Sequence, residues 1–508
     1  MFDYLIKRPM LLSGVFSVII AAMLFYSKIL FIIICILIPF ILALMIILRV
    51  RPQLILSVIM LVVLLFSCIS VYSDINRANT AVYKDVRCQL CVCDITYQSE
   101  KFSSAVVEVT GGKIKKGEKI SVTYKGNSLY MGQTVSADVT AKALDEDYRN
   151  FYYGNGIYQS GRIDNITYET GKDDFVLKTV GRVREYIKET LFSKMSYPSA
   201  ATMCAVIFGE NSYFTDEFYD NVKGAGVSHI MVVSGMHLTV LVMFFAFVTE
   251  MIGYNRYIKA LVILIVTLLL TALCGFTMSI IRAGVTYALI ALSLILKKPY
   301  NPENILGAAV TFILINSPNV ILSGAFQLSV ASTFGILAIA SPILNYINEE
   351  ELIKKFWFNS FVSCMAVTLS AMVMTLPITI KMFGYVSNVT LITNFLICYA
   401  VTMILALGII GLALNLFIPL AADAVFSLCD LITNYINTVI NVFGSHEFSV
   451  TRLPEYFWII SVLLIIAIFW IMVACKKQRY MIKLKQIDQK ILSESGNGTK
   501  WRQFLRRL

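Results

Sequence analysis

VSHIMVVSGMHLTVL, residues Val227 to Leu241, decides how the chain folds. It sets His229, Ser234, Gly235 and His237 inside an apolar run, in a chain with only 3 histidines. In a soluble protein such a run is a core segment. In a bilayer its polar groups are costly unless they pair or serve a function. The composition chooses between the two: of 508 residues, 57% are hydrophobic and 15% charged, where a soluble chain carries about a quarter charged. Mean hydropathy is +0.73. Long apolar runs in such a chain read as transmembrane helices, so the sequence describes a polytopic α-helical membrane protein.

Outward from this stretch, apolar runs near 229–252, 258–276, 280–296, 303–317, 320–341, 358–380, 387–415, 420–443 and 455–474 form a transmembrane domain over 227–475. Three more, near 9–27, 28–48 and 52–73, make an N-terminal transmembrane domain over 1–73, about twelve helices in all. Lys7 and Arg8 precede the first run, but no small-residue cleavage site follows, so it reads as a span and not a removable signal. Arg49, Arg51, Arg256, Lys259, Lys297, Lys298, Lys354, Lys355, Lys476, Lys477 and Arg479 fall on the same predicted side. By the positive-inside rule both termini are cytoplasmic and residues 74–180 lie outside. Residues 476–508 carry ten Lys and Arg against Asp488 and Glu494, a basic cytoplasmic tail suited to anionic lipid. The whole chain has 43 Lys plus Arg against 32 acids; that excess has two readings, membrane topology and an anionic partner such as nucleic acid.

Residues 74–180 alternate as strands do: VEVTGGKI, KISVTYKG and TVSADVTAK are separated by Gly, Lys and Asn turns. About a hundred residues suit a small extracytoplasmic β barrel, with an OB-like fold as one option. Fourteen basic and fourteen acidic residues make the domain neutral. Its local basic cluster, Lys113, Lys115, Lys116 and Lys119, is a candidate DNA-binding patch, with a solvated hairpin as the plainer reading. Cys88, Cys91 and Cys93 are three of 11 cysteines and stand apart from the apolar segments. Three thiols allow one disulfide at most, its pairing open. Between 181 and 226 lie an amphipathic stretch, GRVREYIKETLFSKM, and an apolar one, Ala200 to Gly209, too short to span and therefore re-entrant or buried.

Ser234 and His237 are three residues apart and share a face of an unbroken helix. That pair suggests an intramembrane hydrolase, but no acid stands close in sequence to orient the imidazole. As metal ligands His229 and His237 are separated by roughly 12 Å on a straight helix, so no metal site and no cofactor are expected. Gly235 beside Ser234 reads as a helix break. Arg282 lies within an apolar span and is a functional candidate, with snorkelling as the alternative. Gln327 and Asn394 suit interhelical hydrogen bonds, and Pro377, Gly384 and Asn394 suggest a broken helix.

Together these stretches resemble the ComEC competence-protein family, the inner-membrane channels for DNA in natural transformation. The family's histidine, apolar run and Ser-Gly-x-His stand here as His229, Ser234, Gly235 and His237, with Phe208-Gly209-Glu210 upstream. MSIIRAGVTYAL resembles its Ser-x-x-Arg-Ala-Gly motif, giving Arg282. GAFQLSVASTFGIL resembles its Phe-Gln-Leu-Ser segment, giving Gln327 and Ser329. FGYVSNVTLITNFL resembles a further stretch, giving Gly384, Ser387 and Asn394. FYYGNGIYQSGRI looks like the end of the family's OB-like domain. The resemblance implies a bacterial cell-membrane channel that imports single-stranded DNA, alone or as a homo-oligomer, with a separate DNA receptor, helicase or ATPase, and nuclease. Many members end in a metallo-β-lactamase-like domain; three histidines cannot furnish one, so this chain is expected to be no enzyme. A transporter of another substrate and a Ser234/His237 hydrolase are the alternatives.

Overall fold

The computed structural model describes residues 8–26, 31, 33, 52–97, 102–125, 129–168, 173–253, 255–275, 277–349 and 356–494. The expected helix near 28–48 and the tail beyond 494 lie outside them. The chain divides into two compact units, Met1–Thr375 with Tyr385–Arg452, and Leu376–Gly384 with Leu453–Leu508.

In the first unit α1 (Pro9–Tyr26) and α2 (Pro52–Thr80) lead into a barrel of β1 (Tyr83–Tyr97), β2 (Ser103–Gly112), β3 (Lys119–Tyr124), β4 (Thr134–Ala143), α3 (Glu146–Gly154) and β5 (Ile157–Tyr168). There follow α4 (Phe175–Lys194), α5 (Tyr197–Phe208), α6 (Asp216–Gly224), the single turn α7 (Ser228–Met231), α8 (Gly235–Met251), α9 (Arg256–Leu273), α10 (Met278–Leu296) and α11 (Pro302–Asn316). A 3-10 turn, Pro318–Leu322, enters α12 (Gly324–Gly335), which runs through a π segment, Ile336–Ala340, into α13 (Ser341–Glu349). Then come α14 (Phe356–Phe383), β6 (Tyr385–Ser387), α15 (Thr390–Phe417), α16 (Pro419–Gly444) and β7 (Val450–Arg452). The last helix, α17 (Phe457–Glu494), belongs to the second unit with the end of α14.

Among the described residues seven helices are long and apolar enough to cross a membrane: Ser57–Thr80, Arg256–Leu273, Met278–Leu296, Gly324–Ile347, Ser360–Phe383, Thr390–Phe417 and Phe457–Cys475. There are shorter apolar helices at Pro9–Phe25, Tyr197–Phe208, Gly235–Met251 and Pro302–Asn316. The span expected over 229–252 is broken, and that over 320–341 begins only at Gly324. Pro377, expected to mark a break, lies inside the continuous α14. Membrane helices tolerate proline where neighbouring groups satisfy the freed carbonyl. The turn comes instead at Gly384, whose φ of 71° needs a residue without a Cβ.

The β domain is a closed barrel of strand order β1-β2-β3-β5-β4, antiparallel except for the parallel β3–β5 pair that closes it. Alternation along β2 turns Ala105, Val107 and Val109 inward to meet Leu90, Val92, Ile120, Val122, Val139 and Ile163. Helix α2 runs to Thr80, past the boundary expected near 73, because its polar end binds the barrel. Arg77 Nη2 lies 3.1 Å from Glu118 Oε2, Lys115 Nζ lies 2.6 Å from Asp74 Oδ1, and Tyr153 Oη donates to Asn79 Oδ1 at 2.6 Å. Gln159 Nε2 donates to the carbonyls of Ala78 and Ala81. Lys115 is thus engaged in an ion pair, while Lys113, Lys116 and Lys119 stay exposed. Cys88 and Cys91 are buried in the barrel wall, Cys93 is half-buried, and all three are free thiols.

Helices α1 and α11 touch backbone to backbone. A Cβ on Gly14 would come within 2.6 Å of Gly307 Cα, and one on Gly307 within 2.1 Å of the Met10 carbonyl. Beside this contact Ser13 and Ser17 hydrogen-bond Thr311 at 3.1 and 3.2 Å, the small-residue and hydroxyl packing that joins helices in lipid. Gly307→Val should pry the pair apart and cost about 1–3 kcal/mol. A lowered thermal midpoint for the purified protein in detergent checks this; an unchanged midpoint contradicts it.

Candidate functional site

The run from Val227 to Leu241 is not one helix. The single turn α7 ends at Met231, Val232 and Val233 are extended, and α8 starts at Gly235. Such a break strands backbone groups that only local polar partners can satisfy in a membrane. Ser234 supplies them as N-cap of α8, with φ −113° and ψ 166°. Its Oγ accepts the Met236 N–H at 3.3 Å, and His237 Nδ1 accepts the Ser234 N–H at 2.9 Å, a capping box closed by histidine. Nδ1 also lies 3.2 Å from Ser234 Oγ. With its lone pair directed at a backbone N–H, Nδ1 is the unprotonated nitrogen, which leaves the ring proton on Nε2. His237 is only 2% exposed, and Nε2 has no partner among the described residues.

Because the run is broken, the spacing of roughly 12 Å expected on a straight helix does not describe His229 and His237. His229 is exposed beside the break and hydrogen-bonds the Gly226 backbone and the Asn394 side chain. Asn394 Nδ2 reaches Thr368 Oγ1 on α14 at 3.5 Å. Among the described residues no group of three His, Cys, Asp or Glu is arranged to hold a metal ion.

The turn leading into the break is gripped by the end of β6 and the start of α15. Ser387 Oγ donates to the Gly224 carbonyl at 2.7 Å and Thr393 Oγ1 to the Ala225 carbonyl at 2.7 Å. Gly226 has φ 72°, and a Cβ there would fall 1.8 Å from Thr390 Oγ1, so only glycine fits. On the other side Gly209, the left-handed C-cap of α5, places its missing Cβ against Val233. The next residue, Glu210, binds Lys188 Nζ at 2.9 Å and Arg184 Nη2 at 3.4 Å, and Arg184 Nη1 lies 3.6 Å from Asp94 on the barrel. An ion-pair chain therefore runs from the barrel to the residue beside the break.

Arg282, in the second turn of α10, is 7% exposed. Its Nε donates to Ser329 Oγ on α12 at 2.7 Å, and Ser279 Oγ lies 3.3 Å from the same hydroxyl. Its Nη2 stands 3.1 Å from the Cβ position of Gly235. So the histidine, arginine and Phe-Gln-Leu-Ser stretches meet at the start of α8. Gln327 does not join them: its Nε2 donates to the Ile321 carbonyl at 2.7 Å and closes the 3-10 turn below α12. Gly384 belongs to the second unit. Sequence reading overlooked Thr368, Thr390, Thr393, Arg184 and Lys188; the i, i+3 threonines of TLIT within an apolar helix were a usable signal for two of them.

A capped break in an apolar helix, lined by hydroxyls, imidazoles and a buried guanidinium, defines a membrane protein whose spans enclose a polar site. More particularly, the chain belongs to the competence protein family, whose model matches residues 206–478 and so takes in the break, Arg282, Ser329 and Asn394. It is similar to "ComE operon protein 3" of Bacillus subtilis (strain 168), 21% identical over 369 residues, 68% of this chain and 46% of that protein. The chain thus spans about half the length of that curated relative. No solved structure matches it.

If Ser234 acts as a cap, Ser234→Ala should cost about 1 kcal/mol of stability and Ser234→Gly only a few tenths, because glycine is itself a fair N-cap. Thermal unfolding of the two variants in detergent decides; equal losses would contradict the capping role.

Proposed function

We propose that the chain is a channel passing single-stranded DNA inward across the bacterial cell membrane. The observation that carries this reading is the convergence of the histidine, arginine, Ser329 and Ser387–Asn394 stretches on one helix break. A strand with one charge per phosphate needs water, small and polar walls and some positive charge along its path. The break offers hydroxyls and imidazoles, and Arg282 the charge. Family membership and the likeness to a ComE operon protein support the same reading. In this account the barrel is OB-like and faces outward, both termini are cytoplasmic, and about twelve helices span the membrane. The barrel takes the strand from a separate DNA receptor, and Lys113, Lys116 and Lys119 are exposed cations on it. A helicase or ATPase, a nuclease and a second copy of the chain are further partners, and the chain itself performs no catalysis.

One distance favours a second reading, hydrolysis: the 3.2 Å between Ser234 Oγ and His237 Nδ1 is that of a nucleophile and its base. Against it, Nδ1 is already engaged by the Ser234 N–H. Deleting the gene from a naturally transformable host should abolish passage of labelled DNA into the cytoplasm while leaving surface binding intact, and a Ser234→Gly copy should restore it. Undiminished uptake without the gene contradicts the channel; failure of Ser234→Gly despite normal folding would favour the hydrolase.

A further inference from the structure

Arg282 is a cation in the wrong place. The N-terminus of a helix carries partial positive charge and favours anions, yet Arg282 Nη2 lies against Gly235, the first residue of α8, a 17-residue helix. Arg282 is only 7% exposed, and among the described residues no carboxylate pairs with it. Its Nε is anchored on Ser329, but the two Nη groups make no hydrogen bond within the described residues. Nor are they sealed: unlike His237 Nε2, they are not buried orphan atoms, so the unpaired end of the guanidinium reaches accessible space. The first-turn N–H groups complete the arrangement. Met236 donates to Ser234 Oγ and His237 to the Ser234 carbonyl, while the N–H of Gly235, whose Cβ position lies 3.1 Å from Nη2, has no partner among the described residues. Two positive fields meet there with no carboxylate between them among the described residues, an arrangement that is costly to bury unless an anion completes it.

We propose that Arg282 Nη2 and the Gly235 N–H dock one phosphodiester oxyanion at the head of α8, with Ser329 fixing the guanidinium. Arginine matches a phosphate with paired N–H groups, and a helix N-terminus binds the same group. A Cβ at 235 would stand 3.1 Å from Nη2, close enough to displace the guanidinium by a few tenths of an ångström. The proposal rests on the channel reading for the source of the phosphate: a nucleic-acid strand held one phosphate at a time beside the break, not a lipid headgroup.

The test uses the full chain in phosphatidylcholine nanodiscs, with inorganic phosphate as probe at constant ionic strength set by chloride. Phosphate should raise the thermal midpoint saturably. Arg282→Gln should weaken this at least about tenfold in apparent Kd, a loss of roughly 1.4 kcal/mol. Gly235→Ala and Ser329→Ala, which keep the charge and the fold, should weaken it to a lesser degree, so the test survives if Arg282→Gln fails to fold. Equal phosphate response in all four proteins overturns the proposal. Discs of phosphatidylglycerol separate the sources: if they abolish the response, a lipid headgroup fills the site and the strand assignment falls. Uptake assays separate the site from the function: full uptake by Arg282→Gln, where gene deletion abolishes it, sinks the site and spares the channel. A phosphate response at Arg282 in a chain dispensable for uptake leaves the site standing and sinks the channel.

Discussion

Every feature of the site depends on one constraint: a backbone interrupted inside a membrane must satisfy its own hydrogen bonds. Between Met231 and Gly235 the chain gives up helical bonding, and each stranded polar group in hydrocarbon would cost several kcal/mol. Ser234 and His237 answer that cost locally, with one hydroxyl and one ring nitrogen. Their neighbours answer it from outside: Ser387 and Thr393 hold the carbonyls of Gly224 and Ala225, and Asn394 holds His229. The serine and histidine that look catalytic in the sequence are therefore structural first. Fixing the break in one geometry is what leaves Arg282 unpaired beside it.

The barrel is tied to the same place. It grips the end of α2 through Glu118, Lys115 and Gln159, and it reaches the break through Asp94, Arg184 and Glu210. Glu210 follows directly on Gly209, which packs against Val233. A load on the barrel therefore has a short route, through ion pairs as far as Glu210 and then by packing of Gly209 on Val233, to the start of α8.

The fold was largely legible, since apolar runs and strand alternation are read against a solvent that tolerates no exposed backbone. The seven long helices and the five-stranded barrel follow from period and composition. What the sequence hid was set by contacts distant along the chain. Helix α2 extends to Thr80 because barrel side chains bind its polar end. The run that reads as one span is interrupted because Val232 and Val233 go extended and α8 restarts at Gly235. Pro377 did not break its helix, because in lipid the penalty for losing helical bonding exceeds that of one missing donor. The cysteines invited a pairing that the barrel does not make. Ser234, His237, Arg282, Ser329 and Asn394 could be picked out one by one as polar residues in apolar surroundings; that they meet was visible only in three dimensions.

The central claim is that a nucleic-acid strand passes the break. Val232 lies in its extended segment and is 43% exposed, whereas Leu268 on α9 is 72% exposed on an apolar helix face. A photo-crosslinking amino acid placed at either position in the full chain, in cells taking up labelled DNA, tests the claim most directly. The account predicts crosslinks to incoming single strands from position 232 and none from 268. Equal labelling at both, or none at 232 during active uptake, would contradict it.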